Sequence, residues 1–112
     1  MNATIDKIGQ ASVFTVSTSA IDAGNCADFK RDMNAVIEDK AQVVLNLENV
    51  DFVDSAGLGS IVWGLKQLNN FGGDLRLCGI NPAVRTLFEL VRMHKLVRVF
   101  DSLDDAVDSI NI

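Results

Sequence analysis

The sequence has one histidine, two cysteines, one tryptophan and no apolar run near the ~20 residues a helix needs to cross a bilayer. Each shortage excludes something. A lone histidine, His94, makes no metal site by itself, and no cysteine or carboxylate stands at ligand spacing to it. It reads as a core or surface histidine. Cys26 and Cys78 form no CxxC pair. The start of the chain, Met1-Asn2-Ala3-Thr4-Ile5-Asp6, shows no basic segment followed by an apolar one, so no signal peptide is expected. The two thiols are therefore expected to be free and buried in a reducing cytoplasm, packed like small hydrophobes.

Basic residues are also scarce. Ten Lys and Arg face fifteen Asp and Glu, for a net charge of -5 and a pI near 4.6. Phosphate backbones call for a basic surface, so nucleic acid is not the expected partner. Arg85, Arg92, Lys95 and Arg98 crowd the last third of the chain and read as a solvated face. The glycine-rich signatures of catalysis are missing as well. Gly57-Leu58-Gly59 lacks the Lys-Ser/Thr of a P-loop, and Val62 stands where a dinucleotide fingerprint has its third glycine. Val53-Asp54 precedes Ser55, which is not a nucleophile elbow. A triad of Ser55, His94 and an aspartate can be written on paper, as it can for many sequences. No enzyme, no metal and no cofactor is expected.

What is present is enough for a core. The chain has 112 residues, 48% of them apolar, which fits one domain over 1–112. Thr4–Ile8 and Ser12–Ser17 read as strands around a Gly9-Gln10 turn. Cys26, Phe29, Met33, Val36 and Ile37 recur at helical spacing, with Asp22 or Asn25 as the cap. Gln42–Leu47 reads as a strand buried on both faces. An acidic connection, 48–55, leads to the most regular helical stripe: Leu58, Ile61, Val62, Leu65 and Leu68. Asp74–Cys78 is a further strand. Asn81-Pro82 is a capped helix start, and Val84, Leu87, Phe88 and Val91 form its buried stripe. Leu96–Phe100 is a fifth strand, and Ser102 caps a last helix with Leu103, Ala106, Val107 and Ile110 inward. The order β-β-α-β-α-β-α-β-α predicts an α/β fold: a mixed, mostly parallel sheet of four to five strands with about four helices and an antiparallel opening hairpin.

Two residues stand out. Ser55 opens the second helix. It is either an N-cap, with Asp54 sharing the task, or a phosphorylation site. A phosphoryl group adds about -1.5 to -2 charges, and a helix N-terminus accepts them. Opposite a partner carboxylate at ~6 Å, two negative charges cost about 1.4 kcal/mol in water and roughly 5 at an effective dielectric of about 20. That is enough to switch an interface from tight to weak, at about tenfold per 1.4 kcal/mol. Trp63 falls away from the buried stripe, beside Gly59 and Lys66. It is either half-buried against a neighbouring element or an aromatic anchor for a partner.

Asn49-Val50-Asp51-Phe52-Val53-Asp54-Ser55-Ala56-Gly57-Leu58-Gly59 resembles the signature of the STAS domain, named for sulphate transporters and anti-sigma factor antagonists. The likeness is greatest to the small free-standing bacterial antagonists. It continues through Phe71-Gly72-Gly73-Asp74-Leu75 and Asn81-Pro82-Ala83-Val84-Arg85-Thr86-Leu87-Phe88, over nearly the whole chain. The resemblance implies a STAS fold and a phosphorylation-switched binding module. Its unphosphorylated form binds an anti-sigma factor that is also a serine kinase, and so frees a sigma factor. A metal-dependent serine phosphatase reverses the mark. Ser55 is then the acceptor. Asp22, Asp54, Ala56, Gly57, Gly59 and Trp63 are expected at the partner interface, with Asp22 positioning the kinase or orienting the hydroxyl. Gly57 and Gly59 are expected to let the partner come close. Ser19-Ala20 departs from the Gly-acidic pair that begins the family's loop, which bears on the choice of kinase. The resemblance implies a cytoplasmic protein, a monomer by preference, without direct contact to nucleic acid or insertion into a membrane. The alternative is a STAS subunit of a lipid-transport or stress-signalling assembly, with Ser55 as a structural cap.

Overall fold

Alternation along the central strands decides the architecture. In the computed structural model, which describes residues 2–112, Phe14 and Val16 of β2 (Ala11–Val16) enter one core, while Ala11 and Val13 enter another. β4 (Gln42–Asn46) repeats this, with Val43 and Leu45 on one side and Val44 on the other. The period of two delivers apolar side chains to both faces, so both faces must be covered.

β1 (Ala3–Ile8) pairs antiparallel with β2 through a hairpin. Its turn places Gly9 at φ +59°, a left-handed conformation that glycine adopts without a Cβ penalty. β6 (Asp74–Cys78) and β7 (Arg98–Phe100) extend the sheet in the order β1-β2-β4-β6-β7, with every pair after the hairpin parallel. α1 (Cys26–Met33), α2 (Ser55–Asn70) and α3 (Pro82–Leu90) contribute Phe29, Ile61, Leu65, Leu68, Val84 and Phe88 to the larger core. α4 (Leu103–Asn111) lays Ala106 and Val107 over Ala11, Val13, Val44 and Cys78 on the other face. The α/β order and the mixed, mostly parallel sheet are as the sequence predicts.

Local differences have local causes. α1 stops at Met33. The chain then tightens into a 3-10 turn at Asn34–Val36, so Val36 is buried without being part of the α-helix, and Ile37 is extended. Neither Asp22 nor Asn25 caps α1 by its side chain in the expected way; Asn25 holds the preceding loop instead. Val91 is exposed, because α3 ends at Leu90; Met93, in a second 3-10 turn over Met93–Lys95, fills the core in its place. β7 is three residues long, since Leu96 and Val97 belong to that turn and its exit. Cys78 is buried as expected, and burial followed by the charge of Glu48 pushes its thiol up to about 12. Cys26 is only half-buried, because it is the first residue of α1 and faces the loop, with its Sγ 3.9 Å from the Ala23 carbonyl.

Two further strands were not expected. β3 (Ala20–Ile21) and β5 (Phe52–Val53) form a separate parallel pair with Ala20 opposite Phe52 and Ile21 opposite Val53. Each is two residues long, too short for periodicity to reveal. This pair brings the loop before α1 alongside the start of α2.

Candidate functional site

The head of α2 is assembled by one carboxylate. Asp54 has extended backbone and caps the helix: its Oδ1 accepts from the Gly57 N–H at 2.8 Å. Its Oδ2 accepts from the Ala23 N–H at 3.0 Å, across the gap to the loop before α1. Hydrogen bonds from the Gly57 and Ala23 amides favour the ionised form and hold the Asp54 carboxyl below its ordinary value of 3.8. The Asp54 N–H donates in turn to the Ile21 carbonyl at 3.3 Å.

Gly57 makes this contact physically possible. A Cβ built there would run into the Ile21 carbonyl oxygen, a backbone atom. Gly57 is buried. It therefore lets α2 approach β3, and the space a side chain would take is already filled by the chain itself. Gly59 differs, being exposed with nothing within 4 Å of a built Cβ.

The neighbouring loop is folded by its own polar groups. Asp22 Oδ1 accepts from the Gly24 N–H at 2.9 Å. Asn25 Oδ1 accepts from the Asp22 N–H at 2.9 Å, and Asn25 Nδ2 donates to the Ala20 carbonyl at 2.9 Å. Asp22 thus shapes an Asx-type turn beside α2. Among the described residues no hydrogen bond joins Asp22 to Ser55, so an orienting role for Asp22 toward the hydroxyl is not seen in this arrangement.

Ser55 is the first residue of α2 and is exposed. The cap is Asp54, so Ser55 as a structural N-cap is corrected; its hydroxyl sits one position too late to accept from the first-turn amides. Ala56 is half-buried beside it. Phe52, on β5, is 53% exposed while Val53 points inward. Sequence reasoning passed over Phe52; the signal was the in-out alternation of Phe52-Val53 ahead of the cap. Ser55, Gly59, Ala23, Gly24 and the large ring of Phe52 are each exposed at the surface.

Trp63 does not join that surface. Eight residues further along α2, about 12 Å down the axis, it is half-buried against the core, with Lys30 Nζ of α1 5.7 Å from its ring centroid. That is the cation–π arrangement of a packed helix pair. His94 is exposed, far from Ser55 in the chain, and no group of three or more His, Cys, Asp or Glu is placed to hold a metal among the described residues.

The structure is thus a three-layered α/β domain that presents an exposed serine at a carboxylate-capped helix start, with the helix head hydrogen-bonded to its neighbouring loop. The chain belongs to the STAS domain family, whose model matches residues 2–106. It is 33% identical over 70 residues to the anti-sigma F factor antagonist of Paenibacillus polymyxa, a stretch that spans 62% of this chain and 60% of that protein. It is 29% identical over 101 residues to the anti-sigma-B factor antagonist of Staphylococcus aureus, covering 88% of this chain and 94% of that one. An anti-sigma factor antagonist from Mycobacterium paratuberculosis shares the fold with a TM-score of 0.87 at 24% identity, over 99% of this chain and 94% of that one.

Proposed function

We propose that this chain is an anti-sigma factor antagonist: a single STAS domain over 1–112, without catalysis of its own, switched by phosphorylation of Ser55. Unphosphorylated, it binds an anti-sigma factor that is also a serine kinase, and a sigma factor is released. The kinase phosphorylates Ser55 and the complex dissociates; a metal-dependent serine phosphatase restores the binding form. The protein works in the cytoplasm, and no described helix is long and apolar enough to cross a membrane.

The observation that carries this reading is the division of labour between Asp54 and Ser55. Because Asp54 caps α2, the Ser55 hydroxyl is exposed and is not needed by the helix. A phosphoryl group there meets the positive end of the α2 dipole, which favours it, and lies next to the Asp54 carboxylate, which does not. The fold survives while the partner-facing surface turns strongly negative. The alternative, a STAS subunit of a lipid-transport or stress-signalling assembly with Ser55 as a structural cap, is less favoured, since Asp54 is the cap.

Phosphosite mapping by mass spectrometry on protein from its native cells, sampled through growth and stress, tests this directly. Occupancy of Ser55 that changes with condition is expected. A Ser55 that is unmodified in every condition refutes the switch.

A further inference from the structure

A second site lies away from the α2 head, where α3 meets β7. A cleft of about 280 Å³ opens there, lined by Ile80, Arg85, Phe88, Glu89, His94 and Val99. None of these belongs to the surface around Ser55. Ile80, Phe88 and Val99 form an apolar floor; the first two are buried core residues. Arg85 and His94, whose side chains carry nitrogen donors, also line the cleft. Arg85 has one ion pair, to Asp101 at 3.5 Å, and the Asp101 side chain is 94% exposed. An ion pair with so exposed a partner holds weakly, so the guanidinium is available to an incoming anion. The surrounding charge agrees. Arg85, Arg92, Lys95 and Arg98 stand in one stretch whose only acid is Glu89, in a chain of net charge -5. A local excess of basic residues along the chain favours anions over cations nearby.

We propose that this cleft is a binding site for a small organic carboxylate with a compact apolar body, its carboxylate on Arg85 and His94 and its body on Ile80, Phe88 and Val99. The volume lies just under the ~300 Å³ at which pockets for drug-sized ligands begin, which favours a molecule of about the size of phenylacetate. Glu89, which also lines the cleft, disfavours a second negative charge, so a monoanion is preferred to a phosphate ester.

The probes are phenylacetate, its neutral counterpart 2-phenylethanol, and phenyl phosphate, titrated into the intact chain and followed by methyl NMR and calorimetry. Saturable phenylacetate binding at about 1 mM or tighter is expected, with shifts centred on Ile80 and Val99. The alcohol should bind about tenfold more weakly, and Arg85→Ala should lose about tenfold for phenylacetate. Asp101→Asn breaks the same ion pair but keeps the cation, so it should bind at least as well as the wild type; equal loss in both variants overturns the role of Arg85. No saturation by roughly 10 mM, equal affinity for the alcohol, tighter binding of phenyl phosphate, or shifts centred elsewhere each overturn the proposal.

Discussion

Two helices of this domain begin in nearly the same way and end up in different surroundings. α2 is capped by Asp54 and α3 by Asn81, both with extended backbone and both accepting from the amide three residues on, at 2.8 and 3.0 Å. Behind the cap they diverge. At α3 the first residue is Pro82, which needs no donor, and Asn81 Nδ2 reaches back to the Val50 carbonyl at 2.6 Å. That helix head is closed and neutral. At α2 the cap is a charge, the first residue is the exposed Ser55, and Gly57 presses the helix against the Ile21 carbonyl. Capping alone therefore does not distinguish the two helix heads. The difference comes from what stands at the first position and from how closely a second segment of chain is drawn to it.

The largest effect should come from the close approach. Gly57→Ala forces the built Cβ through the Ile21 carbonyl and should cost about 3 kcal/mol or prevent folding; no such contact constrains Val84, the equivalent position of α3. Urea denaturation compares the two, and a Gly57→Ala stability within error of wild type would break the comparison. Next, Asn81→Ala removes a cap and the tie to Val50, for about 2 kcal/mol in the same assay.

Changes at Ser55 should spare the fold and move only recognition. Ser55→Ala should unfold at wild-type denaturant concentrations, take no phosphoryl group and keep binding the anti-sigma partner. Ser55→Asp should bind it about tenfold more weakly, a smaller effect than the phosphate because it adds one charge. Equal affinity of Ser55→Asp and wild type, measured by calorimetry, would sink the charge mechanism.

The smallest effect separates a charged cap from a neutral one. The Asp54 carboxyl is held below its ordinary value of 3.8 by the Gly57 and Ala23 amides. Its contribution is thus complete above that value and is lost as pH falls below it and the folded carboxyl takes up its proton. Asp54→Asn should flatten this acid limb of the stability curve, whereas Asn81→Asp should steepen it. Identical curves for Asp54→Asn and wild type between pH 2 and pH 5 would show that the two caps do not differ in this way.

Much of this was readable before folding was considered. The apolar stripes of α2 and α4, the Asn81-Pro82 start, the Ser102 cap and the order of the main strands follow from periodicity and cap chemistry, which are local. The misses are equally physical. Val91 has helical spacing but lies past the end of α3, where Met93 packs instead. Cys26 and Phe52 carry apolar side chains, yet their exposure depends on the loops packed around them. At the candidate site the sequence pointed to Asp22, Asp54 and Ser55, but not to who does what.

By itself, the sequence determined the α/β order, the two-sided burial of β4, and a serine at the entrance to a long helix, because each depends on residues near one another in the chain. Only tertiary structure decided that Asp54 rather than Ser55 caps that helix while also holding Ala23, that Gly57 belongs to an internal contact, and that Arg85, His94 and Val99 share one cleft. Those facts depend on distances between segments as much as 36 residues apart, which are set by how the sheet and helices pack and not by any local preference of the residues involved.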